Sequence, residues 1–402
     1  TKRLRNHASL VLWCGNNENH WGFADWWDEK TQGGAQIYNY VLPDVVQRNC
    51  PGIPYWNSSP YGGSRPNAYE AGDCHYWGEA MMNPDMEIRI TPEVYDQCTA
   101  RFVSEFGYIG APHKDTILAY LDGAPFDRQS PVWQHHNNTF EKDTVEAGLR
   151  KHYGNPNTMT IDDYVLYSGL TQGLMYSYAL DAMRANPKCG GSLFWMFADC
   201  WGEIGWTVVD AFRHRKPSWY FVRRAYAPLR IILRAGEEDS INVILANDTP
   251  DDVRCTLEAG YVSFDGRVRD VHTHLISVRA LTRLKVTSFE KGSGDPQRGL
   301  WIARAVGRED IRPGLFRAHD YRDTHVPKCT LQYAVAMVGK NRYAVRVGTD
   351  KYAHAVSFLL PEGALPSDNY FDLLPGETRN LTVTTSRALT NEQIRVTCVN
   401  EG

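Results

Sequence analysis

The sequence has no CxxC pair, no run of eighteen apolar residues and no excess of positive charge. Each absence excludes something. Without CxxC spacing, the nine cysteines at 14, 50, 74, 98, 189, 200, 255, 329 and 398 give no support to a structural zinc site. An odd count in a chain this long fits buried free thiols better than a disulfide framework. Without a long apolar run, no segment reads as a membrane span. Lys and Arg number 43 against 47 Asp and Glu, a formal net charge of −4, so no basic field points to nucleic acid. Internal repeats and low-complexity segments are missing too. The hydrophobic content of 43% excludes a long disordered chain.

What the chain does have is aromatic rings: 12 Trp and 22 Tyr in 402 residues. Such faces stack on sugar rings and nucleobases alike, and the weak net charge favours a neutral ligand over a polyanion. The length suggests two or three domains. Glycosylation-type triplets at Asn57, Asn137, Asn247 and Asn380 leave the compartment open. The opening Thr1-Lys-Arg-Leu-Arg-Asn-His7 carries neither an initiator Met nor an apolar signal segment. It runs at once into an apolar stretch, Leu10–Trp13, which leads us to expect a polypeptide upstream.

From residue 1 to about 227, short apolar stretches alternate with loops and helix-like segments, as in α/β proteins. Strands are expected at Leu10–Trp13, Ile53–Trp56, His75–Trp77, Arg101–Phe106 and Ser192–Phe197. Helices are expected near Pro92–Thr99, Asp115–Leu121, Ile161–Ala185 and Ser218–Tyr226. After Pro228 regular short strands take over, from Ile231–Leu233 to Ile394–Val399, with turn residues between them. Ten or more strands over this length fit two small β-sandwiches, at 228–313 and 314–402.

Chemistry concentrates in four motifs. Trp13-Cys14-Gly15-Asn16-Asn17-Glu18 ends an apolar strand in two amides and a carboxylate. Beside Trp13, Glu18 is placed to have a raised pKa and act as a general acid, with Asn17 on a substrate hydroxyl. A polar turn capping a helix is the alternative. Arg101-Phe102-Val103-Ser104-Glu105 buries a carboxylate in an apolar strand, which is costly unless it is paired or functional. Its plain alternative is an ion pair with Arg101. Asp73-Cys74-His75-Tyr76-Trp77 and Phe194-Trp195 through Asp199-Cys200-Trp201 join aromatics to polar groups, as a sugar platform does or as core packing does. His135-His136 lacks a carboxylate–histidine pattern and reads as structural, so no metal is expected.

Together these motifs resemble β-mannosidases of glycoside hydrolase family 2. Cys14-Gly-Asn-Asn-Glu18, Asp73-Cys-His-Tyr-Trp77, Phe102-Val-Ser-Glu-Phe-Gly107 and Gly191-Ser-Leu-Phe-Trp195 occur in the family's order. The late Ser367-Asp-Asn-Tyr-Phe371 and Pro375-Gly-Glu377 are similar to its terminal sandwich. The resemblance implies the second half of a (β/α)8 TIM barrel over 1–227, followed by two immunoglobulin-like β-sandwich domains. It implies a retaining glycosidase that needs no cofactor and cleaves β-mannoside oligosaccharides. Glu18 would be the acid/base, with a raised pKa, and Glu105 the nucleophile, kept ionised. Asn17, His75, Trp77, Trp195 and Trp201 would bind sugar. It further implies an upstream half that completes the barrel, without which this chain is poorly stable or inactive. The alternatives are an exo-β-glucosaminidase, a glycoprotein endo-β-mannosidase, or a carbohydrate-binding fragment without catalysis.

Overall fold

A computed structural model of the chain describes residues 1–28, 30–138 and 143–402. Thr139, the last residue of the Asn137 triplet, lies outside them. The described residues form two compact units. The first comprises 1–89, 94–107 and 186–195; the second comprises 90–93, 108–185 and 196–402.

The first unit is built on very short parallel strands: β1 (Trp13–Cys14), β2 (Tyr55–Trp56), β3 (Cys74–His75) and β4 (Val103–Glu105). β1 pairs with β2 and β3 with β4, both parallel. A single bridge from Asn17 to Ser59 carries the first pairing past the strand ends. Between them lie helices α1 (Asn19–Asp25), α2 (Leu42–Asn49) and α3 (Met86–Arg89). The expected strand at Ser192–Phe197 is not a regular one. Ser192 forms one parallel bridge to Val103, and the segment continues beside β4 through Leu193 N to Val103 O and Trp195 N to Phe106 O. The close approach of Gly191 to the Phe102 ring, where a Cβ would sit 2.7 Å away, shows how tightly this segment lies on its neighbour.

In the second unit five helices precede the sheets: α4 (Lys114–Leu121), α5 (Pro131–His136), α6 (Thr144–His152), α7 (Ile161–Ala185) and α8 (Pro217–Ala225). The expected helix at Ile161–Ala185 is found with those bounds. Its apolar residues recur at helical spacing, and Leu170, Ala179 and Leu180 are fully buried.

Seven strands follow: β5 (Leu229–Ala235), β6 (Ser240–Asn247), β7 (Val253–Ser263), β8 (Arg269–Val278), β9 (Thr282–Glu290), β10 (Gly299–Ala305) and β11 (Gly314–Phe316). They form one sheet in the order β5-β6-β9 and another in the order β11-β10-β7-β8. Ile231, Val243, Leu257 and Trp301, contributed by both sheets, share one core.

Seven more complete the chain: β12 (Leu331–Gly339), β13 (Arg342–Thr349), β14 (Ala353–Leu359), β15 (Ala364–Pro366), β16 (Phe371–Leu373), β17 (Thr378–Thr385) and β18 (Arg395–Thr397). Their sheets run β12-β13-β17-β15 and β16-β14-β18, again over a shared core that includes Val347, Val356, Leu373 and Ile394. All strand pairings after residue 228 are antiparallel. Alternating burial along β13 is what such a half-covered face requires.

A buried polar network holds the last sheets to the helices. The Tyr153 hydroxyl lies 3.0 Å from His354 Nε2, and His354 Nδ1 lies 2.9 Å from Asp372 Oδ1. Arg317 donates to the Tyr352 hydroxyl, which in turn donates to Asp372. Nearby, Asp368 accepts from both Arg224 and Arg379.

Candidate active site

The site is built within the first unit from the ends of its parallel strands. Gly15 follows β1 because a side chain there has no room: a Cβ would stand 2.2 Å from the Tyr55 hydroxyl and 2.6 Å from Asn57 O. Asn16 then knits the loop. Its Oδ1 accepts from Asn19 N and from Ser58 Oγ, and its Nδ2 donates to Asn57 O. Glu18 occupies the N-cap position of α1 in a left-handed conformation (φ 62°), yet its side chain caps nothing. Asn16, which accepts from Asn19 N at the first residue of α1, does the capping expected of a polar turn, and Glu18 is left out of it. A strained backbone of this kind persists where the surroundings fix it.

Glu18 turns instead to His75. Its Oε1 lies 2.7 Å from His75 Nδ1, and Glu105 Oε2 lies 3.4 Å from the same nitrogen. One ligating atom from each of the three falls within 4.8 Å of the others. The Glu18 side chain is 25% exposed, Glu105 12% and His75 0%. Asn67 clamps the His75 backbone from both sides, accepting from its N–H and donating to its C=O.

On the far side of the ring, His75 Nε2 lies 3.0 Å from Ser59 Oγ. Ser59 gives its only proton to Asp73 Oδ2 over 2.6 Å, so toward His75 it accepts and Nε2 must carry a hydrogen. Ser104 donates to the same Asp73 oxygen. With Nε2 protonated, the 2.7 Å contact at Nδ1 needs one more proton, held by either Nδ1 or Glu18. Glu18 and His75 thus share a proton across this contact.

Glu105 is the more enclosed acid. Burial pushes its pKa up. His75 opposes this, the Glu18 charge adds to it, and hydrogen bonds from Trp77 and Asn17 pull the other way without cancelling it. The expectation that Glu105 stays ionised thus meets an opposing effect of burial. The ion pair with Arg101 that stood as the plain alternative is not formed. β4 begins only at Val103, and Arg101 is exposed before it, with no ion pair to Glu105 among the described residues.

Trp77 is buried rather than an open platform, and meets the site through Nε1, which donates to Glu105 Oε2 over 3.2 Å. Gly107 makes that possible, since a Cβ there would stand 2.9 Å from the Trp77 ring and 2.4 Å from Trp195 O. Trp195, 39% exposed, belongs to the same unit. Trp201 belongs to the second unit, where it stacks on His136 (4.3 Å, 25°), itself stacked on Tyr120. His135 meets the edge of that stack. Sequence reading missed Ser59, Asn67, Asp73, Ser104 and Trp21, whose ring meets His75 edge-on at 6.0 Å. Asp73 and Ser104 stood inside the quoted motifs.

A carboxylate pair beside a shared proton is equipped for acid/base and nucleophilic work. The same three side chains are compact enough to ligate a cation, as are His113, Asp115 and His214 in the second unit.

Known proteins resemble this chain in sequence and in fold. Residues 327–401 match the Ig_mannosidase family, an Ig-fold domain. Beta-mannosidase B of Aspergillus fumigatus is 27% identical over 427 residues, covering 95% of this chain and 49% of that protein. The Emericella nidulans Beta-mannosidase B is 33% identical over 260 residues, covering 59% of this chain and 30% of that protein. The crystal structure of a beta-D-mannosidase from Dictyoglomus thermophilum superposes with a TM-score of 0.89 at 28% identity, over 100% of this chain and 49% of the other. An exo-chitosanase from Amycolatopsis orientalis shares the fold, at a TM-score of 0.68 and 16% identity over 100% of this chain and 52% of the other. The chain spans about half the length of the curated relatives it matches.

Proposed function

We propose, from the kinship of this chain with the β-mannosidases of glycoside hydrolase family 2, that it carries the catalytic residues of a retaining β-mannosidase. Its reaction would be the release of β-linked mannose from the non-reducing end of oligosaccharides or glycoconjugates. The observation that carries this reading is the approach of Glu18, His75 and Glu105 atoms to within 4.8 Å at the ends of parallel strands. Retaining glycosidases hold their carboxyl groups about 5–5.5 Å apart, and inverting ones about 6.5–9.5 Å.

In the first step Glu105 attacks the anomeric carbon while Glu18 protonates the departing oxygen. In the second, Glu18 takes a proton from water, which displaces Glu105. His75 positions Glu18 and shares its proton between steps. Trp77 and Asn17 donate to Glu105 and favour its ionised form. Asn17 and Trp195 are assigned to sugar contacts, whereas His75, fully buried with both ring nitrogens engaged, acts through Glu18.

The parallel strands of the first unit, with residues up to 227, are read as the second half of a (β/α)8 barrel. Residues 228–313 and 314–402 are read as two immunoglobulin-like sandwiches, the second supported by the Ig-fold match. β1 pairs on one side only among the described strands, and Val11 and Leu193 stand exposed. Polypeptide corresponding to the other half of the relatives would cover such edges and complete the barrel.

The test is hydrolysis of aryl glycosides by this chain, alone and with that other half, followed by proton NMR of the first sugar released. β-Mannose as the first product supports the proposal. α-Mannose as the first product contradicts retention. A preference for the aryl β-glucosaminide would move the substrate to the exo-glucosaminidases. Cleavage only inside mannose-containing glycans would indicate an endo-enzyme, and sugar binding without turnover would leave a carbohydrate-binding protein.

A further inference from the structure

All nine cysteines are free thiols, and seven are buried. Two of them touch. Cys329 Sγ and Cys398 Sγ are 3.4 Å apart, with Cys329 2% and Cys398 8% exposed. Their backbones are already in register. Cys329 N donates to Asn400 O, Gly402 N donates to Cys329 O, and Cys329 bridges Glu401. The residues a crosslink requires to be adjacent are therefore adjacent without it, which is the main geometric condition for a disulfide.

We propose that Cys329 and Cys398 are a disulfide site, formed by exchange with a low-molecular-weight disulfide such as oxidised glutathione. One cysteine thiolate attacks the reagent and expels a thiolate. The second cysteine thiolate then attacks the protein-bound sulfur and expels the other. The cysteines lose two electrons and two protons; the reagent's two sulfurs take up both and leave as thiols.

The bond would close a loop running from Cys329 to Cys398, nearly the whole Ig-fold segment. It would also pin the segment that orders the contact with the helices. Val399 N donates to His354 O, Asn400 Oδ1 accepts from His354 N, and Asn400 Nδ2 donates to Tyr352 O. Tyr352 and His354 are the residues that meet Asp372 and Tyr153. A crosslink here therefore acts on the packing of the terminal sheets against the helices as well as on the sheets themselves.

The experiment is refolding and equilibration of the full chain in oxidised glutathione or in dithiothreitol, then alkylation, non-reducing digestion and mass spectrometry. Exposed Cys14 and Cys200 report that the oxidant has reacted. The proposal expects peptides containing 329 and 398 linked with the loss of two hydrogens. It expects a thermal midpoint roughly 5 °C or more higher than the reduced protein, reversed by dithiothreitol, and slower amide exchange at 352–354. Cys398→Ser should abolish the linked peptide and the redox dependence while Cys329→Ala/Cys398→Ala still folds. Recovery of both as free thiols in folded protein whose Cys14 and Cys200 have reacted would overturn it. So would a different pairing, or a linked pair without the gain in midpoint.

Discussion

Trp77 Nε1 donates to Glu105 Oε2 over 3.2 Å, so a residue quoted for its ring meets the site through its one polar atom. Trp77→Phe keeps most of the ring and removes the donor. Glu105 must be ionised to attack, its pKa is already raised by burial, and the lost bond favoured the charged form. The acidic limb of kcat/KM should therefore begin above the ordinary glutamate range and move further up in Trp77→Phe, by about one pH unit. A pH–rate profile of the two proteins checks it; a limb that moves down would contradict the assignment.

The roles of the two glutamates separate by leaving group. Glu18→Gln should lose roughly 10²–10⁴-fold on a substrate whose departing oxygen needs a proton, and much less on a dinitrophenyl mannoside that does not. Glu105→Ala should lose activity on both. Steady-state rates on the substrate pair measure the difference.

Asp368 anchors two arginines, Arg224 at 2.7 Å and Arg379 at 2.6 Å, and its side chain is mostly buried. Asp368→Ala leaves both cations without their carboxylate. Breaking a buried pair by removing one partner costs about 3–5 kcal/mol, so the denaturant midpoint should fall by that equivalent with the slope unchanged.

His354 is held below its usual pKa, by burial first and by Arg317, against the pull of Asp372. Asp372 is also depressed: burial works against this, but His354, Arg317 and the Tyr352 hydroxyl outweigh it. Both groups have the same sign. Each contributes stability that is present above its unfolded pKa and lost as pH falls through the folded one. Stability should start to decline below about pH 6.5, where unfolded histidine takes a proton, and decline again below about pH 4. His354→Gln should flatten the first decline in thermal melts across that range.

Much of the later fold was legible because Ile231, Val243, Val345 and Val383 sit in short runs of branched apolar residues, the pattern of strands buried on one face. β8 was not, since Arg269–Val278 interleaves charges and histidines and buries only Ile276 and Val278. Helices α1 and α5, of 7 and 6 residues, are too short to show a period. The parallel strands were placed to within a few residues, but their ends were not, because so few residues pair. At the site, Glu18, His75 and Glu105 stood out as polar groups ending apolar stretches. Ser59 and Asn67 did not, since nothing in a loop's sequence says which distant imidazole it holds. The raised pKa of Glu105 was not legible, because burial depends on which distant segments close over a strand end, and spacing does not reveal that.

The central claim is that Glu105 forms a covalent bond to the sugar. In a 2-deoxy-2-fluoro-β-mannosyl fluoride the 2-fluorine slows both steps while the good fluoride leaving group keeps the first one fast, so the intermediate accumulates. Mass spectrometry of the digested adduct should find the fluorosugar on the peptide containing Glu105, and no label in Glu105→Ala. A label on Glu18 or on another residue, or turnover of the mannoside with no trapped intermediate and α-mannose as the first product, would contradict the account.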